Sequence, residues 1–185
     1  YINSYHPDII KGNASEIRAL FGDGKVEAVG VDVAEKDRIT ADDDTRLKDM
    51  GETVKQLAIR YGCVVLATGA VDLVSDGQVV YGLCNGTERL ASITGTGCIL
   101  TCLTACYLSQ VKPLYAAMLA TSVLNISAQL AEEELMRMAR NIPESMKVGI
   151  TKVQIGQGSF KTALFDQLSL ITSKGMGEAV KIKEI

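Results

Sequence analysis

Four consecutive residues, Gly95-Thr96-Gly97-Cys98, make the strongest chemical suggestion in this sequence. Glycines at the mouth of a helix leave backbone N–H groups accessible. With the positive end of the helix dipole, they suit an anion such as a phosphate. The segment lacks the Lys-Ser/Thr of a P-loop and is not GxGxxG, so by itself it also reads as a tight strand-to-helix turn. Cys98 falls in the first turn, where N–H groups and dipole favour a thiolate. Two roles are open to it: nucleophile of a Cys–His hydrolase, or part of an anion hole beside a hydroxyl awaiting phosphorylation. The sole histidine, His6, stands in the N-terminal segment, which weakens the first role.

Asn13 and Glu16 form a second pair of interest. Their spacing is that of an N-cap and the N3 acid of a capping box, so a short helix starts there. The same amide and carboxylate could also stand near metal-bound phosphates, because Mg²⁺ takes few protein oxygens and keeps waters. Both readings can hold, since a helix start is where phosphates bind.

The five cysteines, Cys63, Cys84, Cys98, Cys102 and Cys106, are odd in number, and three recur every fourth residue. That is no disulfide framework, and the absence of a CxxC pair leaves zinc or thioredoxin chemistry with little support. Most are expected to be small buried hydrophobes in a reducing cytosol.

Of 185 residues, 47% are hydrophobic and 22% charged, a globular mixture that excludes disordered and collagen-like chains. The length suits one domain. With 19 basic against 22 acidic residues, no polycationic surface recruits nucleic acid. The N-terminus has no basic region followed by an apolar run, so no signal peptide is read there. Two uncharged stretches, Leu90 to Val111 and Pro113 to Ala131, are long enough to span a bilayer. The Thr94–Gly97 turn in the first, and Thr121, Ser122, Asn125, Ser127 and Gln129 in the second, argue instead for a pair of buried core helices.

The elements follow from period and punctuation. Asp8–Ile10 ends a short strand, and a helix runs from Asn13 to Phe21. A turn at residues 22–25 leads to a strand over Val26–Val33, then to an acidic loop over residues 35–45. A helix capped near Asp44 runs to Tyr61, with Leu47, Met50, Val54, Leu57 and Ile59 on its apolar face. Cys63–Ala67 is a buried strand. Val71–Ser75 and Gln78–Leu83 flank Asp76-Gly77 as a hairpin. A loop around Asn85-Gly86 leads to the short Leu90–Ile93 strand and a helix from Cys98 to Ser109. Pro113 opens another to Arg140. Residues 144–157 are irregular, Gly158-Ser159 starts a last helix to Ser173 with Leu164, Leu168 and Ile171 inward, and VKIKEI adds a strand. Strands alternating with helices make this an α/β protein with an antiparallel hairpin.

Five segments now stand in order: KGNASEI (Lys11–Ile17), GVD (Gly30–Asp32), ATGAVDLVSDG (Ala67–Gly77), ITGTGC (Ile93–Cys98) and GQGSF (Gly156–Phe160). Together they resemble the hydroxyethylthiazole kinase family of thiamine biosynthesis, in the ribokinase-like superfamily. The resemblance implies a ribokinase-like α/β fold with a central, mostly parallel sheet flanked by helices, in one kinase domain over residues 1–185. It implies ATP-dependent phosphorylation of the hydroxyethyl group of 4-methyl-5-(2-hydroxyethyl)thiazole, with Mg²⁺, in a cytoplasmic homotrimer that binds neither nucleic acid nor membrane. Lys11 falls at the family's ATP-contacting Arg, keeping the charge without the bidentate fork. Asn13 and Thr68 would contact ATP, Glu16 the metal and phosphate, and Gly95 the substrate. Cys98 matches the position where related sugar kinases carry an Asp base, and the Gly97 and Cys98 amides would form the anion hole.

Departures accompany the likeness. The family's N-terminal portion, with its substrate-contacting Met and DPVG motif, is expected to be absent from this chain. Residues 141–155 look like an insertion, Gln157 replaces a Pro, and Ala70 stands where relatives often carry charge. Another ribokinase-like kinase, for a pyrimidine or sugar alcohol, and an inactive nucleotide-binding fragment are the alternatives.

Overall fold

The computed structural model describes residues 2–22, 43–141 and 155–185. The strand expected at Val26–Val33, the GVD segment and most of the stretch expected to be irregular lie outside them. In chain order the elements are helix α1 (Ile2–Tyr5), strand β1 (Ile9–Asn13), helices α2 (Ala14–Phe21) and α3 (Asp44–Tyr61), and strands β2 (Val64–Thr68), β3 (Asp72–Ser75) and β4 (Val80–Leu83). A 3-10 turn (Glu88–Ser92) follows, then helices α4 (Thr96–Leu108), α5 (Pro113–Arg140), α6 (Gln157–Leu170) and α7 (Ser173–Ala179), and strand β5 (Ile182–Glu184). They fall into two compact units. The first comprises residues 1–84, 100–121 and 181–185, and the second residues 85–99 and 122–180.

The first unit holds a five-stranded sheet in the order β1-β2-β3-β4-β5. Strand β1 runs parallel to β2, with Lys11 opposite Leu66 and Asn13 opposite Thr68. The other three pairings are antiparallel. The described strands thus form a mixed sheet flanked by helices, with the expected antiparallel hairpin at β3 and β4. Connection length explains two of the antiparallel pairings, β2 with β3 and β3 with β4. The turns from β2 to β3 and from β3 to β4 are too short for a crossover, which parallel neighbours require. Helices α2 and α3 supply the covering layer. Ile17, Leu47, Met50, Val54 and Leu57 pack with Val65, Leu73 and Val80 in one buried cluster. Helix α3 spans the predicted residues, and the Asp43 side chain caps it by accepting from Arg46 N–H at 3.1 Å. Ile59 is the exception on its predicted face, at 56% exposed. Two residues beyond Leu57 is a 200° step, which carries the side chain to the far side of the helix.

In the second unit, Asn85 anchors the loop before the 3-10 turn. Its side-chain amide donates to Gln129 Oε1 at 2.9 Å and to Ala179 O at 3.1 Å, and its carbonyl accepts from Asn125 Nδ2 at 2.9 Å. These bonds explain polar residues inside an apolar helix, since a buried amide must be paired. Residues 88–92 form a 3-10 turn instead of the expected strand at Leu90–Ile93, because Thr87 caps it and Leu90 N–H returns to Thr87 O at 3.1 Å. Helix α6 packs on that turn and buries Phe160 and Leu164, while Leu168 and Ile171 are only half-buried. It ends at Leu170, and the separate α7 follows, capped by Thr172 through Gly175 N–H.

Helix α5 has the length and composition of a membrane span, and 67% of its most apolar stretch is buried. Helix α4 is less covered than expected, burying Leu100 and Thr104 only. Cys98, Cys102 and Cys106 are exposed, Cys84 is half-buried and Cys63 buried, so the expectation of mostly buried cysteines fails on α4. A helix apolar on every side carries no polar stripe to reveal which side turns inward. Burial pushes the Cys63 thiol up, over the opposing effect of a hydrogen bond with the Ile10 backbone, with Asp8 adding to the rise.

Candidate functional site

Within the first unit, β1 and β2 end side by side, and the carboxyl end of a parallel pair is where open α/β sheets place ligands. Asn13 closes β1 and immediately caps α2. Its Oδ1 accepts from Glu16 N–H at 2.9 Å, and Glu16 Oε2 accepts from Asn13 N–H at 2.7 Å. The predicted capping box is therefore complete. A glycine is needed just before it, because a Cβ on Gly12 would lie 3.1 Å from both Cβ and Oε2 of Glu16. Thr68, at the end of β2, donates its hydroxyl to Gly12 O at 3.4 Å. Lys11, Asn13, Glu16 and Thr68 thus come from one strand pair and the helix that follows it. Strand alternation puts Lys11 and Asn13 on the same face of β1. Asp72 adds a contact not singled out from the sequence: its Oδ1 accepts from Gly69 N–H at 2.9 Å and shapes the turn after Thr68. Its position three residues beyond Gly69 was the available signal.

The second unit carries Gly95, Gly97 and Cys98. Gly95 has φ +100, a conformation side-chain-bearing residues rarely adopt, and a Cβ there would meet nothing within 4 Å. The helix starts directly after it, with Ile99 N–H donating to Gly95 O at 2.9 Å. Gly97 and Cys98 lie exposed in the first turn of α4. The Thr96 hydroxyl is shared between Leu90 O at 3.1 Å and Ile93 O at 3.3 Å, tying this turn to the 3-10 turn.

A third group escaped sequence reasoning. Thr87, Arg89 and Glu132 line a cavity of about 520 Å³ together with Glu88 and Ser92. Arg89 Nε donates to Glu132 Oε1 at 2.7 Å, and the Thr87 hydroxyl donates to Glu132 Oε2. Burial alone would raise the Glu132 carboxyl, but the hydrogen bonds from Thr87 and Arg89 and the guanidinium charge outweigh it and hold it below the ordinary value. No local motif marks a pair separated by 43 residues.

The sheet of the first unit with its covering helices, and the helices of the second, make this an α/β protein. The structure of hydroxyethylthiazole kinase from Pyrococcus horikoshii OT3 matches 99% of this chain and 57% of its own, with a TM-score of 0.74 and 27% identity. A profile of the hydroxyethylthiazole kinase family matches residues 1–174. Hydroxyethylthiazole kinase 2 of Clostridium botulinum (strain Langeland, type F) is 34% identical over 182 residues, covering 98% of this chain and 60% of its own. That of Clostridium botulinum strain Hall is 42% identical over 132 residues, or 71% of this chain and 48% of its own. That of Methanosphaera stadtmanae is 34% identical over 172 residues, or 90% and 55%. This chain belongs to the hydroxyethylthiazole kinase family. It spans about half to three-fifths of the length of these curated relatives.

Proposed function

We propose that the protein phosphorylates the hydroxyethyl group of 4-methyl-5-(2-hydroxyethyl)thiazole, using ATP, with all 185 residues belonging to one kinase domain. The observation that carries this is family membership over residues 1–174. The intact Asn13–Glu16 box at the end of β1 and the Gly95–Cys98 turn support it. Phosphoryl transfer asks the protein mainly for positioning and charge stabilisation. In this reading Lys11, Asn13 and Thr68 bind the nucleotide. Gly95 borders the thiazole alcohol, the Gly97 and Cys98 amides receive the negative charge, and Cys98 lines the hole where sugar kinases place a base.

A Mg²⁺ ion bound through ATP is part of the proposal. Among the described residues no group of three or more His, Cys, Asp or Glu side chains is placed to hold a metal. Magnesium carried on phosphates needs only one or two protein carboxylates. Glu16 fits, being exposed and using Oε2 in the capping box. The ion would supply charge neutralisation at the phosphates, and Glu16 would orient it. A cytoplasmic homotrimer completes the reading.

The deciding assay follows ATP consumption by the full natural chain with the thiazole alcohol, hydroxymethylpyrimidine and ribose in parallel. Turnover with the thiazole alcohol alone is expected. Turnover with one of the others instead would assign a different kinase, and silence on all three by folded protein would leave a nucleotide-binding role.

A further inference from the structure

The Gly95–Cys98 segment contains two glycines, and glycine surrenders the most backbone freedom on being ordered. Amides that stabilise developing charge work only if their directions are set beforehand. Something outside the segment must therefore hold it. The Thr96 hydroxyl is one tie, and both of its acceptors, Leu90 O and Ile93 O, belong to or border the 3-10 turn. A 3-10 turn of this length is itself a weak element.

That turn is gripped at its start. The two oxygens of Glu132, on α5, take different donors: the Thr87 hydroxyl and Arg89 Nε. Arg89 N–H also donates to Thr87 Oγ1 at 3.3 Å, so Arg89 takes part in both the cap and the ion pair. A second guanidinium nitrogen, Arg89 Nη1, reaches Ile155 O at 3.3 Å, directly ahead of the GQGSF segment. Arg89 and Glu132 side chains are each 31% exposed, so water competes for the pair only in part. One arginine thus joins α5, the 3-10 turn and the lead-in to α6, using the planar fork that lysine lacks.

We propose that Arg89 and Glu132, with Thr87, are positioning residues that latch the 3-10 turn and through Thr96 hold the phosphate-receiving turn in its working conformation. The proposal rests on the kinase reading above, because it assigns the latch a consequence for turnover.

The test makes Arg89→Met, Glu132→Gln, the double variant and the conservative Arg89→Lys in the full natural chain. Amide hydrogen exchange and steady-state kinetics are then read together. Exchange at Ile99, whose N–H donates to Gly95 O at 2.9 Å and closes the turn, is expected to quicken about tenfold in either single variant, with β2 amides unchanged, as local opening is independent of global unfolding. In step with it, kcat should fall about tenfold while KM for ATP moves less than about twofold, since misaimed charge-stabilising groups cost mainly the transition state. The double variant should lose no more than the worse single, the signature of two residues acting as one unit. Arg89→Lys should recover part of the loss. If Arg89→Met does not fold, Thr87→Val and Arg89→Lys carry the same comparison. Unchanged exchange at Ile99, additive losses, or quicker exchange with kcat untouched would each overturn the latch. Should the unmodified protein show no turnover on the thiazole alcohol, the kinase reading fails, while the exchange data still decide whether the turn is latched.

Discussion

At the residue scale, Glu16 completes the capping box of α2 and is proposed to orient the metal, and substitutions can separate the two roles. Its carboxylate accepts from Asn13 N–H while its own N–H donates to Asn13 Oδ1. Asn13→Ala removes the cap and should cost about 1 kcal/mol of stability, read as a lowered urea midpoint. Glu16→Gln keeps an acceptor for the box but removes the charge. It should leave the midpoint nearly unchanged and raise the magnesium concentration needed for half-maximal turnover. Equal magnesium requirement in variant and parent would remove Glu16 from the metal's surroundings. Cys98 yields a second prediction. If it only lines the anion hole, the backbone amides do the work, so Cys98→Ser should retain substantial phosphorylation and Cys98→Asp should be tolerated or faster. A folded but wholly inactive Cys98→Ser would show that the thiol takes part directly.

At the scale of elements, α3 is held by one stripe. Val54 and Leu57 are completely buried, with Leu47 and Met50 nearly so. Leu57→Ala should cost about 2–5 kcal/mol through lost burial and the cavity left behind. Ile59→Ala, on the exposed side, should cost far less, and chemical denaturation of the two variants checks the contrast. The link between α5 and the 3-10 turn adds a pH dependence. The Glu132 carboxyl sits below its ordinary value in the folded state. Its contribution to stability is therefore complete above ~4.3, the unperturbed value, and is lost as pH falls through the lower folded value. The gap in thermal midpoint between parent and Glu132→Gln should be constant near neutrality and shrink in acid. A gap that widened in acid would contradict the sign of the shift.

At the scale of the molecule, the proposed trimer predicts a solution mass three times that of the chain by sedimentation equilibrium, and a monomer at working concentrations would refute it. Much of the architecture was legible beforehand because local rules and tertiary structure agree. The Asn13–Glu16 spacing, the Asp76-Gly77 hairpin, and Pro113 as the start of a helix ending at Arg140 all appear as read. Where the reading failed, the local rule was silent or was overruled. Leu90–Ile93 is apolar enough for a strand, but the cap from Thr87 closes a 3-10 turn there. The α4 cysteines recur at helical spacing, yet no polar face marks which side is exposed.

The sequence by itself determined the family, the identity of the two short segments read as phosphate-handling, and the caps and turns that shape them. These depend on neighbours within a few residues, whose steric and hydrogen-bonding preferences are written locally. Tertiary structure alone decided that β2 pairs with β3, and β4 with β5, antiparallel and that Thr68 lies beside Asn13. It alone brought Arg89 to Glu132. Those are contacts between residues 43 and 55 positions apart along the chain. Each is chosen by how apolar faces pack and how buried polar groups find partners, and neither has a fixed spacing in the chain.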